Sequence, residues 1–275
     1  MPELPEVETV CRGLAGVLEG RRFARVDVRR KDLRIPFPKG LAANLTGRRV
    51  ERIYRRAKYV MMALDNAQVL IAHLGMSGRM QIVVGKTPLD AHDHVIFTTD
   101  DGSEIRFNDP RRFGLMTLAD EAGLDTHKLF RHLGPDAMSE AFTPEALSKA
   151  LKGRKTSIKV ALMDQRIVVG VGNIYACESL NRAGISPKRK AGTVAGARAE
   201  SLVPVIKQVL AEAIAAGGSS LRDHVQPSGE LGYFQKAWRV YGREGESCPC
   251  GSNSATVKRI VQGGRSTFFC TRCQT

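Results

Sequence analysis

One helical pattern, then strand patterns from about residue 22 to about residue 118, then helical patterns again, is an order that excludes an alternating α/β fold. Starting from Pro5, the residues Val7, Val10, Cys11, Leu14 and Leu18 recur at helical spacing, and Gly20 closes the run. Phe23, Val26 and Val28 then alternate in part, and 59–64 and 69–72 are short apolar runs. Asp101-Gly102 between 95–99 and 104–107 predicts a hairpin. Repeated strands with short turns predict a two-sheet sandwich. The acidic stretch 119–125 reads as a linker. Beyond it, Thr143-Pro144 has the form of an N-cap followed by a first helical residue. Ile158, Ala161 and Leu162 mark one helix, and 174–183 before Gly184 another. The longest apolar stripe runs from Leu202 to Ala213 and ends at Gly217-Gly218. The expectation is a multidomain α+β chain.

The chain opens Met-Pro-Glu-Leu-Pro-Glu-Val-Glu-Thr-Val, with no apolar core of the signal-peptide kind, so no secretory leader is expected. Met1 precedes a small residue, and its enzymatic removal would leave Pro2 with a free secondary amine. A free α-amino group titrates at about 7.7–8.0, so part of it is neutral near pH 7. A helix dipole and nearby cations disfavour its protonated form further. A neutral secondary amine attacks carbon electrophiles to give an iminium ion. Glu3 beside it is a candidate general acid or base. Pro-Glu alone reads first as the start of an ordinary capped helix.

A net charge of +14 points to a polyanionic partner. The basic residues lie in separate clusters, Arg29-Arg30-Lys31, Arg55-Arg56 with Lys58, Arg111-Arg112 and Lys188-Arg189-Lys190, which fits a folded groove better than a tail. No apolar run approaches the ~20 residues of a membrane span, and no basic amphipathic helix with bulky anchors is apparent. Nucleic acid is favoured over a membrane. Six cysteines do not make a disulfide framework in a chain of this size, so a reduced, cytoplasmic setting is expected. Cys11 and Cys177 read as buried thiols in helices. Cys248, Cys250, Cys270 and Cys273 cluster at the C-terminal end and suggest one tetrahedral zinc ion. Gly170-Val-Gly172-Asn173 before a helix could aim backbone N–H groups at a phosphate.

Several ordered blocks carry a resemblance: Pro2 to Val10, Arg56-Ala-Lys58-Tyr59, His73-Leu-Gly-Met76-Ser-Gly78, Asp109-Pro-Arg-Arg-Phe-Gly114, Gly170-Val-Gly-Asn-Ile-Tyr175, Tyr233-Phe-Gln235 and the C-terminal cysteines. Together the chain resembles the formamidopyrimidine-DNA glycosylases, bacterial enzymes that excise oxidised purines, nearly end to end. Leu4 and Glu6-Val7-Glu8-Thr9 favour that branch over the sister endonuclease VIII branch, which usually opens Pro-Glu-Gly-Pro-Glu.

The resemblance implies a catalytic β-sandwich domain preceded by a helix over 1–118, a helix–two-turn–helix DNA-binding domain with a mobile loop over 126–231, and a zinc β-hairpin over 232–275. It implies a monomer acting on damaged double-stranded DNA in the bacterial cytoplasm, associated with the nucleoid, with no membrane. It implies Schiff-base chemistry at Pro2, with Glu3 shuttling protons, Glu6 supporting the site and Lys58, read as lying on a strand, assisting elimination. Arg265 matches a hairpin arginine that contacts phosphate and takes part in the later elimination. Met76, Arg111 and Phe113 match residues that fill the gap left by an extruded nucleotide. Asn173, His92 and Arg154 match DNA contacts, and the loop 219–231 matches a cap over the extruded base. The family normally has two residues between its first pair of cysteines, whereas Pro249 stands alone between Cys248 and Cys250, and the gap between the pairs is longer than usual. The rivals are endonuclease VIII-like action on oxidised pyrimidines and a non-catalytic nucleic-acid binder.

Overall fold

In the computed structural model, which describes residues 2–219, 227–251 and 255–275, the chain enters its first helix through a capping box. Glu6 accepts the Glu3 amide proton at 2.8 Å, and Pro5 sits in the first turn, where a missing N–H costs nothing. Helix α1, Leu4–Leu18, buries Val7, Val10, Cys11, Leu14 and Leu18, the stripe visible in the sequence. After it come β1 (Phe23–Val28), the short α2 (Leu41–Leu45), β2 (Val50–Arg56), β3 (Tyr59–Leu64), β4 (Gln68–His73), β5 (Arg79–Val83), β6 (Asp93–Thr99), β7 (Glu104–Asn108) and β8 (Leu115–Asp120).

These strands form two antiparallel sheets ordered β1-β6-β7-β5 and β2-β3-β4-β8. One apolar core joins them: Phe23, Phe97 and Phe107 from one sheet, Val60, Met62, Leu70 and Met116 from the other, and the stripe of α1. The expected sandwich with its leading helix is present. At the 99–103 hairpin, Asp101 accepts from the Thr99 hydroxyl at 2.6 Å and the Ser103 amide at 3.1 Å, and these bonds hold its carboxyl down at about 2. The 119–125 stretch is only partly a linker. Gln68 pairs with Asp120, so Ala119 and Asp120 belong to β8, an edge strand that tolerates exposed charge.

The chain forms two units, one of residues up to Arg131 with Ile214–Gln235, the other of His132–Ala213 with Lys236–Thr275. The described residues of 214–231, a stretch grouped with the helices on sequence alone, thus belong to the first unit. The Ser219 amide donates to Glu6 Oε1 at 2.8 Å, and the Ile82 amide to the Pro227 carbonyl at 2.9 Å.

The second unit contains α3 (Pro144–Leu151), α4 (Ile158–Leu162), α5 (Asn173–Arg182), α6 (Ala197–Ala215) up to its last turn, and the hairpin β9 (Val257–Gln262) and β10 (Arg265–Cys270). Thr143 caps α3, accepting the Ala146 amide at 3.1 Å. Glu178 of α5, fully buried, accepts the amides of Arg239, Val240 and Tyr241 at 2.8–3.0 Å and so ties the C-terminal segment to the helices. Gly263 and Gly264, at φ 54° and 71°, make the two-residue turn between the paired Gln262 and Arg265, a type I′ geometry that side chains resist.

Candidate active site and nucleic-acid interface

The first helix presents Pro2 and Glu3 at its positive end, and both are buried, Glu3 to 3% exposure. Glu6, 2% exposed, divides its carboxylate between the Glu3 amide and the Ser219 amide. It therefore holds the helix start against the beginning of the 219–231 segment. Of that expected base-capping loop, residues 220–226 lie outside those described.

Lys58 is not on a strand. Arg56 pairs with Tyr59, so Ala57 and Lys58 form the two-residue turn between β2 and β3. Ala57 takes φ 59°, as the first residue of a type II′ turn does, and no glycine marks the place. Lys58 is 4% exposed, unlike an ordinary surface lysine.

His73, to which no role was assigned from the sequence, belongs to the same neighbourhood. It closes β4 opposite Tyr59, the rings 4.9 Å apart, and its Nδ1 accepts the Gly75 amide at 2.9 Å. Burial, then the charges of Lys58 and Arg34, push its pKa from 6.5 down to about 4. The ring is neutral at neutral pH with its proton on Nε2, a donor. A lone histidine ending an apolar strand reads as core, and only the pairing with Tyr59 reveals its company.

A depressed histidine pKa stabilises the fold above the unfolded value and stops doing so as pH falls through the folded one. Stability should therefore decline from pH 6.5 to about 4, by up to roughly 3 kcal/mol from this group. Denaturant unfolding across that window should show a flatter profile for His73→Gln; an unchanged acid loss would exclude His73 as its source.

Met76 and Phe113 are exposed at 37% and 45%, and the Arg111 guanidinium lies 4.9 Å above the Phe113 ring. They sit on the turns at 74–78 and 109–114, and the turns form one body. Asp109, fully buried, accepts the Ser77 hydroxyl at 2.7 Å with one oxygen and the Gly114 amide at 2.8 Å with the other. Ser77 in turn accepts the Arg111 amide at 3.2 Å. Gly75, at φ 63°, presses so closely on the Phe113 carbonyl that a Cβ there would collide. Exposed His92 joins the group through its carbonyl, which accepts the Asp109 amide at 3.1 Å. Sequence reasoning missed the bond between Asp109 and Ser77, which lie 32 residues apart.

In the second unit, Asn173 opens α5 after Gly172. Its side-chain nitrogen donates to the Ser266 carbonyl at 3.0 Å and the Tyr241 hydroxyl at 3.3 Å, so the amide fastens the hairpin to α5. Arg265 is exposed where β10 leaves the I′ turn. Arg154 is exposed, its Nε donating to the Ala150 carbonyl at 2.7 Å.

The thiols of Cys248, Cys250, Cys270 and Cys273 lie within 4.8 Å of one another, with Cys248 and Cys273 sulfurs 3.8 Å apart. Tetrahedral zinc with Zn–S bonds of about 2.3 Å needs sulfur separations of about 3.8 Å. The shortened Cys248-Pro-Cys250 knuckle therefore does not keep its thiols from the group. The four residues fit one structural zinc ion.

Comparison with known proteins agrees with this geometry. The family models described as "Formamidopyrimidine-DNA glycosylase N-terminal domain", "Formamidopyrimidine-DNA glycosylase H2TH domain" and "Zinc finger found in FPG and IleRS" match residues 1–116, 133–225 and 254–275. A formamidopyrimidine-DNA glycosylase of Ruegeria pomeroyi is 55% identical over 282 residues, and one of Acidiphilium cryptum 56% over 277, each covering all of both chains. Among solved structures, the MutM (Fpg) protein of Thermus thermophilus matches with TM-score 0.87 at 39% identity over 99% of this chain and 98% of that one. The Lactococcus lactis Fpg in complex with an abasic-site-containing DNA matches with TM-score 0.90 at 31% identity over all of both.

Proposed function

The chain belongs to the formamidopyrimidine-DNA glycosylase family, and from that premise we propose that Pro2 is its nucleophile, served by Glu3, Glu6, Lys58 and Arg265. The enzyme is a base-excision repair glycosylase for oxidised purines with AP lyase activity, its partner is DNA, and it carries one structural zinc ion. The observation that supports the residue assignment is the buried pair Glu3 and Glu6 at the start of α1, beside a residue whose nitrogen becomes a free amine once Met1 is removed.

The Pro2 lone pair attacks the anomeric carbon of the damaged nucleotide, and the base leaves with the electrons of the N-glycosidic bond. Glu3 moves protons at the sugar, the ring opens, and the nitrogen becomes an iminium ion. That electron sink makes a C2′ proton removable, so the 3′ phosphate is eliminated and then the 5′ phosphate. Lys58 assists the eliminations, and Arg265, always charged, holds phosphate. Met76, Arg111 and Phe113 fill the space of the extruded nucleotide, while His92, Arg154 and Asn173 meet the DNA backbone. For Asn173, whose amide hydrogens already serve the hairpin, that contact requires the helix start or an exchange of partners.

The protein acts as a monomer in the bacterial cytoplasm; no described helix is long and apolar enough to cross a membrane. A second reading is action on oxidised pyrimidines, since the Lactococcus lactis Fpg is also known bound to an oxidised-pyrimidine-containing DNA. Comparing excision of 8-oxoguanine opposite cytosine with thymine glycol ranks the two.

Borohydride should trap the wild-type protein on damaged duplex, and mass spectrometry should find Pro2 at the mature terminus. Pro2→Gly should slow excision and trapping by more than about 100-fold, because a flexible primary amine loses the set geometry. Unchanged rates in that variant would remove Pro2 from the chemistry.

A further inference from the structure

Two arginines precede the lysine turn, and one of them is withdrawn from water. The Arg55 side chain is 10% exposed; its Nε donates to Glu8 Oε2 at 3.1 Å and a terminal nitrogen donates to the Ala57 carbonyl at 2.9 Å. Glu8 stands on α1, the helix that begins at Glu3. Ala57 is the turn residue held at φ 59°, directly before Lys58. Its carbonyl belongs to the peptide that joins it to Lys58. A grip on that oxygen sets the plane from which the Lys58 side chain departs.

A left-handed alanine costs about 1–2 kcal/mol, so a turn without such a grip would relax toward another conformation. Exposed ion pairs contribute little to stability, and the outer Glu8–Arg12 pair, with Arg12 65% exposed, is of that kind. The Arg55 fork differs, because it joins a carboxylate on one element to a strained peptide on another. Its consequence is geometric.

We propose that Arg55 is a positioning residue: through Glu8 and the Ala57 carbonyl it locks the helix that carries Pro2 and the turn that carries Lys58 into one register. It acts through Lys58, and the inference rests on the role in elimination proposed for that lysine. A lysine at position 55 cannot reproduce two divergent donors in a fixed plane.

The test uses the full-length, zinc-loaded protein on a duplex with a preformed abasic site, comparing wild type with Arg55→Lys, Arg55→Gln, Glu8→Gln and the Glu8→Gln/Arg55→Gln double variant. Rates are normalised to the fraction of protein that borohydride traps at long times, which removes any loss of folded enzyme. Per trapped molecule, strand cleavage should fall about 10- to 100-fold in kcat for Arg55→Gln, with KM within about twofold. Arg55→Lys should not rescue it, and the double variant should fall no further than Arg55→Gln. An unchanged normalised kcat in Arg55→Lys and Arg55→Gln would reduce Arg55 to a stabilising contact and overturn the proposal, as would independent, multiplicative effects of the two substitutions. A wild-type protein that cannot be trapped would instead overturn the reading of Pro2, and the role of Arg55 with it.

Discussion

Stripping the zinc, or replacing Cys270 by serine, is expected to unfold the hairpin and abolish DNA cleavage. The hairpin has two strands, and an isolated pair of strands is marginal in water. Its own apolar cluster is small: Cys177, Val240, Cys248, Ala255, Val257 and Cys270, of which two are zinc ligands. Binding of a structural zinc supplies roughly 10–16 kcal/mol in small fingers, more than such a cluster can replace. Cys270 is fully buried, and the ligand shell is supported from α5, where the Asn181 amide donates to the Cys273 sulfur at 3.6 Å. The three amides held by Glu178 should keep residues 239–241 in place, so the damage stops short of α5. Arg265 would lose its setting, and phosphate binding with it. Limited proteolysis should show new cleavage within 255–275 after chelation or in Cys270→Ser, together with lost strand cleavage. A Cys270→Ser protein that stays protease-resistant and active would show that the thiols are not what holds the hairpin.

Legibility followed the range of the interactions. Helix α1 was readable because its stripe, its proline and Glu6 all lie within a few residues of one another. The strands at 59–64 and 69–72 and the 99–103 hairpin are readable for the same reason. Sequence alone puts Lys58 on a strand because Ala57 gives no turn signal, and its left-handed φ is imposed by pairing on both sides. Strand β8 ran past its expected end because the partner Gln68, not local composition, decides where pairing stops. Glu178 reads as a solvated helix charge until the amides that donate to it are found 61–63 residues away. The cysteines are legible from their clustering at the C-terminal end, but whether the Cys248-Pro-Cys250 knuckle joins them is decided by the fold. Apart from the Ala57-Lys58 turn, which is local but carries no turn residue, the unreadable part is the one determined by residues distant in the chain.

Asp109 shows this most sharply and carries the second large expected effect. Asp109→Ala should destabilise the first unit by about 3–5 kcal/mol, since two hydrogen bonds to a buried carboxylate are lost and their donors stranded. Its backbone carbonyl, which accepts from His94 Nε2 at 2.9 Å, would remain, but the two turns would no longer share an acceptor. Asp109→Asn should cost less, because one acceptor oxygen survives and the Ser77 hydroxyl can reverse to accept from the new amide. The functional consequence should be selective. Met76, Arg111 and Phe113 are presented together only while 74–78 and 109–114 form one body, and in the proposed mechanism they are needed only when a nucleotide must leave a duplex. Asp109→Ala should therefore lose excision from duplex DNA far more than cleavage at an abasic site in a single strand, where nothing has to be unstacked. Non-specific duplex affinity and its salt dependence should change little, because Arg154, Asn173 and Arg265 belong to the other unit and His92 is joined to Asp109 through the Asp109 backbone amide, which the substitution keeps. Equal losses on both substrates would mean that Asp109 supports the catalytic centre rather than the wedge, and wild-type stability in Asp109→Ala would mean that the two turns hold together without it.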